Sequence, residues 1–291
     1  MGYMVESDKT LITAREKFID YLKKQGRASA TILAYGKDIE QLADFLNQKQ
    51  ITQVTSVTSE HIEEFKENLV KNSYIAKSIS RKLNSAKTFF RFLKTQGLIE
   101  KDPASLVAHP RYEVKPPRVL TRMEYRALRD AARDDPRMAA IIELLLQTGM
   151  KIGELARLEL GDLSEKEIKI TPYESHTARA VPLNPAAKKA LDRYLAVRPQ
   201  TKSQNIFVTK TGRPLLVRNI RTAIDRFFKI AGILGAKVND LRHTFIAHQL
   251  MSGASVVLVQ RLVGHKRLST TEKYLDLIKD KIEENVKLEE L

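Results

Sequence analysis

Apolar periodicity divides the chain into two regions of different character. In "LITAREKFIDYLKKQG", Leu11, Ala14, Phe18 and Leu22 fall on one helical face, and Gly26 follows as a C-cap. "SATILAYGKDIEQLADFLNQ" repeats the period with Ile32, Tyr35, Ile39, Leu42 and Leu46. "TSEHIEEFKENLVKN" opens on Thr58 as an N-cap, and Glu60, Glu63 and Glu64 complement the positive end of the helix dipole. "AKSISRKLNSAKTFFRFLKTQG" places Ile79, Leu83, Ala86, Phe90 and Leu93 on one face and stops at Gly97. The pattern predicts a four-helix domain over residues 10–97. Residues 98–118 hold four of the ten prolines and no periodicity, which predicts a linker.

From residue 119 to 291 the pattern is mixed. Thr121 can cap a helix in "VLTRMEYRALRDAA". "PRMAAIIELLLQTG" is apolar almost throughout and ends at Gly149, but is too short to cross a bilayer and predicts a buried helix. "EIKITPYESHTARAVPL" alternates and breaks at "YESHT", as a hairpin does. A helix over "NPAAKKALDRYLAVRP" and a short strand at "NIFVT" follow. Helices with glycine stops are expected at "VRNIRTAIDRFFKIAG", "DLRHTFIAHQLMSG" and "SVVLVQRLVG", then one more at "STTEKYLDL". The fold class is therefore mainly α with a small antiparallel β-sheet, without internal repeats or low-complexity tracts.

Charge narrows the function. Lys plus Arg number 50 against 35 acidic residues, a net charge of +15, and such an excess suits a polyanion, most simply nucleic acid. Charge alone fits a lysine-rich protein kept soluble, or a basic helical scaffold, equally well. Lys77, Arg81, Lys82, Lys87, Arg91 and Lys94 crowd the fourth helix, as a DNA-facing surface or as a solvated face. Cysteine is absent, which removes disulfides, thiolate zinc sites and thiol nucleophiles. The N-terminus lacks the order of a signal peptide, and Glu6 stands where myristoylation wants Ser or Thr, so a cytoplasmic setting is expected. There is no GxxxxGK[ST], GxGxxG or HExxH, "KTGRP" at 210–214 is a turn, and the six histidines are scattered. Neither a metal nor a cofactor is expected.

The chemistry lies in an ordered set of motifs: "TGMKIGELARL", "NDLRHTFIAHQL" and "LVGHKRLSTTEKY". Arg242 and His265 are 23 residues apart, and His265 and Tyr274 are nine apart. In this order and at these intervals the motifs resemble the tyrosine recombinase (phage integrase) family in its short Xer-like form, over nearly the whole chain. The resemblance implies that the helical domain is a DNA core-binding (SAM-like) domain and that residues 119–291 form the catalytic domain. It implies that Tyr274 attacks a DNA phosphodiester, leaving a 3′-phosphotyrosyl link and a free 5′-hydroxyl, so that rejoining needs no ATP. A phenol with an ordinary pKa near 10 needs a base or nearby cations for this. Arg242 would clamp the scissile phosphate, and His265 would donate to it.

This chain departs from the family pattern at three places. Lys151 stands where the family's first arginine is expected; it keeps the charge but loses the planar fork. Asn239 stands at the histidine position; it can hydrogen-bond a phosphate oxygen or Tyr274 but cannot take a proton at neutral pH. The hairpin loop carries no lysine, only Glu174, Ser175, His176 and Thr177, of which His176 is the available acid. Glu154 is read either as orienting Lys151 or as a helix-face carboxylate, Asp240 as an N-cap for a helix starting at Leu241, and His243 as a core-facing residue. The resemblance implies double-stranded DNA as partner, held in a clamp by Arg81, Lys82 and Lys87 on one domain and Arg218 and Arg221 on the other. It implies no membrane partner and a tetramer on DNA. Ile282, Val286 and Leu288 of the tail would dock on a neighbouring copy or on their own domain. The alternative left open is a degenerate relative that holds DNA with little or no cleavage.

Overall fold

Each amphipathic repeat of the first region becomes a helix because its apolar face has a partner. The computed structural model describes residues 9–113, 115–173 and 177–278. It divides into two units, Met1–Val114 and Lys115–Leu291. In the first, α1 (Leu11–Lys24), α2 (Ser29–Asn47), α3 (Ser59–Lys71) and α4 (Ala76–Thr95) enclose one core. Thr10 caps α1 by accepting from the Thr13 amide at 3.2 Å. Phe18 of α1 meets Phe89 of α4 edge-on at 5.4 Å, an arrangement that adds to area burial.

One charged group lies inside this unit. Asp38 of α2 is 3% exposed and accepts hydrogen bonds from Arg81, Lys82 and Ser85 of α4. A carboxylate buried that deeply persists only with such partners. The stretch expected as a linker is not free chain over its first half: Leu98, Ile99, Ala104 and Val107 bury into the same core. Prolines stop a helix there without preventing packing.

The second unit is built on α6 (Pro136–Thr148), nine of whose 13 residues are buried. It packs against α8 (Pro185–Leu195) and α10 (Val238–Met251). Thr121 caps α5 (Arg122–Ala131) and Asp135 caps α6. Gly149 ends α6 with φ +60°, where a Cβ would lie 2.3 Å from the Phe245 ring, so only glycine fits. Then come α7 (Ile152–Leu155) and the hairpin of β1 (Glu167–Ile170) and β2 (Arg179–Pro182), antiparallel with Ile170 opposite Arg179. After α8 follow α9 (Val217–Ile230), α10, α11 (Val256–Val263) and α12 (Ser269–Glu272).

Two expectations change. "NIFVT" is no strand: Asn205 and Val208 form isolated bridges to Glu159 and Pro214. Its neighbours turn away after one or two bonds, at Leu158 to Leu160 on one side and through the Thr209–Arg213 turn on the other. The last helix among the described residues is four residues long, and Tyr274 sits in the turns that follow, its amide bonded to the Thr271 carbonyl. Among the described residues no helix is long and apolar enough to cross a membrane.

Candidate active site

Arg242 stands on the first turns of α10, 7% exposed. Its Nη1 donates to the Gly149 carbonyl at 2.6 Å and its Nη2 to the Val263 carbonyl at 2.8 Å. Both carbonyls end helices, α6 and α11, where oxygens lack intrahelical partners and the dipole is negative. Two helix ends thus aim one guanidinium. Burial lowers its pKa to about 10, Glu154 opposing and Arg179 adding to the shift, so it stays charged at neutral pH.

Gly264 caps α11 with φ +69° and lets the chain turn into His265. A Cβ at Gly264 would come within 2.9 Å of the Arg179 guanidinium. Arg179 holds Glu154 by two bonds of 2.9 and 2.7 Å and donates Nε to the Leu262 carbonyl at 2.7 Å. Glu154, 2% exposed, also accepts from the Lys151 amide at 2.8 Å. Glu154 therefore orients Lys151 through its backbone, and its carboxylate charge is met by Arg179 of the hairpin. Sequence reading did not single out Arg179. The available signal was an arginine shortly after a hairpin loop without lysine.

Lys151, Glu154, Thr177, Arg179, Gly264, His265, Lys266, Arg267 and Thr270 line a cavity of about 330 Å³. Four of these nine are Lys or Arg against one carboxylate, which Arg179 pairs, so three cations are left over and the cavity favours an anion such as a phosphodiester. Burial pulls the Lys151 ammonium below its usual pKa, Glu154 opposes, and Arg242, Arg179 and Lys266 pull further down. His265 Nδ1 lies 2.8 Å from the Thr271 hydroxyl. Burial, then Arg242 and Lys151, lower its pKa to about 4, so the ring is neutral at pH 7. Its ring stacks on Tyr274 with centroids 6.4 Å apart.

Tyr274 is 4% exposed, and its Oη lies 2.6 Å from His243 Nδ1. Burial raises the phenol's pKa and Arg242 opposes the rise. His243 faces inward as expected, and there it touches the phenol. Asn239, one turn earlier on the same face, is exposed. Asp240 is not an N-cap: α10 begins at Val238, and the carboxylate accepts from the Lys237 amide at 2.8 Å as the third helical residue. Of the hairpin loop, Glu174, Ser175 and His176 lie outside the described residues, as does the tail with Ile282, Val286 and Leu288.

The structure brings Arg242, His265, Tyr274 and Lys151 into one neighbourhood. The basic residues predicted to face DNA are placed differently from one another. Arg218 and Arg221 are exposed on α9, whose Ile220, Ile224 and Phe228 are buried. Arg81 is half exposed while held by Asp38. Lys87 reaches the Ser105 carbonyl at 3.2 Å. Lys82 turns inward: it is 8% exposed, and its Nζ bonds Asp38 at 3.0 Å and Gln41 at 2.6 Å. Its place on the Asp38 side of α4 removes it from an outward phosphate-binding set.

Comparison with known proteins gives a consistent result. The sequence matches the family model described as Phage integrase family over residues 118–281. It matches the one described as Phage integrase, N-terminal SAM-like domain over residues 16–97. It is 31% identical over 274 residues to the Tyrosine recombinase XerC of Thermodesulfovibrio yellowstonii, covering 88% of this chain and 89% of that one. A crystal structure of XerA recombinase is 26% identical, with a TM-score of 0.55 over 93% of this chain and 96% of that one. A lambda integrase dimer bound to a COC′ core site shares the fold at 19% identity and a TM-score of 0.75, over 98% of this chain and 82% of that one.

Proposed function

We propose that this chain, which belongs to the phage integrase family of tyrosine recombinases, cuts and rejoins duplex DNA at specific sites through Tyr274. The observation that carries the assignment is the convergence of Arg242, His265 and Tyr274, from three separate segments, beside a cavity lined by Lys151 and further cations. Tyr274 Oη attacks the phosphorus, the 3′-phosphotyrosyl bond forms, and the 5′-oxygen leaves. Arg242 and Lys151 offset the charge that gathers on the non-bridging oxygens, which makes a metal ion unnecessary. His265 stacks on the nucleophile and holds a neutral ring toward the same phosphate.

DNA is held through backbone contacts by Arg218 and Arg221 on the catalytic unit and by Lys87 and Arg81 on the helical one. Residues 10–97 and 119–291 serve as core-binding and catalytic domains. Exchange between two duplexes needs four strand cuts, one per Tyr274, so four copies act together on DNA. The exposed cations and the family membership support this reading.

The test has two steps. Duplexes bound by the protein are selected from a random library, and a bound site is then nicked beside candidate scission points to trap the intermediate. A covalent protein–DNA band is expected with the native protein and none with Tyr274→Phe. A site that is bound tightly yet never linked by the native protein would leave a DNA-binding protein without cleavage.

A further inference from the structure

We propose that His243, and not Asn239, is the proton acceptor for Tyr274 in strand cleavage. The inference rests on Tyr274 being the nucleophile. It adds a catalytic residue at a position where the sequence motif offers asparagine instead of a base.

The geometry is direct. Nδ1 of His243 lies 2.6 Å from Tyr274 Oη, a short contact for a hydrogen bond to a hydroxyl. The ring centroids are 5.8 Å apart and tilted by 39°, so the imidazole meets the phenol through its ring nitrogen and not by stacking. His243 sits one helical turn after Asn239, on the same face of α10, so the asparagine side chain marks the exposed rim and the histidine the inner position. The neighbouring Arg242 is pinned to two carbonyls, which fixes the turn that carries His243.

The charged and titratable groups around the imidazole favour its neutral form. Burial lowers its pKa below the ordinary 6.5; Asp240, on its own helix, opposes this, and Arg242 adds to it. From the segment beyond α11, Tyr274 faces it directly, and His265, itself neutral at pH 7, is coupled to it. A neutral imidazole with its proton on Nε2 presents a lone pair at Nδ1. As Oη forms its bond to phosphorus, the phenolic proton passes to Nδ1. The P–O5′ bond breaks, its electron pair leaves with the 5′-oxygen, and that oxygen takes a proton from water, leaving hydroxide. On rejoining, the 5′-hydroxyl gives its proton to hydroxide as it attacks, and the imidazolium returns its proton to the departing Tyr274 oxygen. Asparagine at 239 has no part in this transfer, which accounts for how the site operates with that substitution.

The experiment measures covalent-complex formation on the nicked substrate from pH 5 to 9 for native protein, His243→Gln, His243→Ala and Asn239→Ala. Native protein should lose rate only at pH values below the free-histidine pKa of about 6.5, because burial lowers the point at which the base becomes protonated. His243→Gln should form the link about 10²–10⁴-fold more slowly and lose that acid limb. Added imidazole should partly restore His243→Ala, and Asn239→Ala should retain the native acid limb. A His243→Gln protein that keeps both rate and acid limb overturns the proposal. So does one that reacts faster, since the contact would then be a latch. In case the variants do not fold, nitrogen-15 spectra of the native protein should find His243 protonated at Nε2; a proton on Nδ1 also overturns it. Absence of any adduct from the native protein would instead remove the assignment of Tyr274 itself, so the two failures are distinct.

Discussion

Glu154→Gln is the change whose consequence can be worked furthest from the structure. The Glu154 and Arg179 side chains are 0% and 8% exposed and joined by two bonds. Removing the charge from one partner leaves a guanidinium that burial has separated from water, and breaking such a pair typically costs about 3–5 kcal/mol. The amide oxygen, placed where Oε2 lies, can still accept from the Lys151 amide and Arg179 Nη2, but the amide nitrogen would then face Arg179 Nη1 donor to donor. At ~2–4 °C per kcal/mol for a unit of this size, melting should fall by roughly 6–20 °C. Urea and thermal denaturation followed by circular dichroism measure this. The double change Glu154→Leu with Arg179→Met removes both charges, and should be more stable than Glu154→Gln because no buried charge is left unpaired. It should still fail to cleave, because the cavity loses a cation and the Lys151 amide its anchor. A Glu154→Gln protein within about 1 kcal/mol of native stability would refute the reasoning, since the guanidinium would then be compensated by groups other than this carboxylate.

Lys151→Arg adds a planar fork beside the phosphate and should speed covalent-complex formation; one oxyanion donor is worth roughly 10²–10³ in rate, and a slower enzyme would mean that the cavity is fitted to lysine. Arg218→Ala and Arg221→Ala should each weaken binding on any duplex about equally and lower the salt slope by roughly one, measured by titration at several salt concentrations. Lys82→Ala should instead lower the melting temperature of the helical unit and leave that slope unchanged, because its ammonium serves Asp38. His265 has a folded pKa of about 4 against 6.5 for the free side chain, so the unfolded chain binds more protons between these values. Urea midpoints should therefore decline as pH falls from about 6.5 toward 4, less so in His265→Gln.

Most of the fold was legible because helices with one apolar face carry a strong periodic signal, and all four predicted helices of the first unit are present. What failed was local. "NIFVT" reads as a strand by residue type, yet a strand exists only where a partner backbone runs alongside, and here the partners last one or two residues. "STTEKYLDL" continues a helical period beyond Glu272, but the chain tightens into turns with i to i+3 bonds, which apolar spacing does not register. Lys82 was grouped with outward cations because adjacent basic residues look alike in sequence. Both Arg81 and Lys82 bond the buried Asp38 of a different helix, and what separates them is exposure: Lys82 is 8% exposed while the Arg81 side chain stays half exposed.

The site was legible where chemistry forces a residue type and opaque where it depends on direction. Tyr274, Arg242 and His265 could be picked out through the family resemblance of the motifs at those intervals, and the structure brings the three into one neighbourhood. His243 stands beside Arg242 in sequence, and neighbours in a helix point about 100° apart, so nothing in the motif says which of two histidine-capable positions meets the phenol. That is settled by where the turns after α12 deliver Tyr274, a long-range fact. Arg179 was hidden for the same reason. Its partners, Glu154 and the Leu262 carbonyl, come from α7 and α11, and the hairpin brings it between them. The departures at 151 and 239 then take on a physical order. The cavity gathers Lys266 and Arg267 around Lys151, with Arg179 paired to Glu154, so loss of one guanidinium fork still leaves a net positive lining. The base that asparagine cannot supply stands one turn further along the same helix.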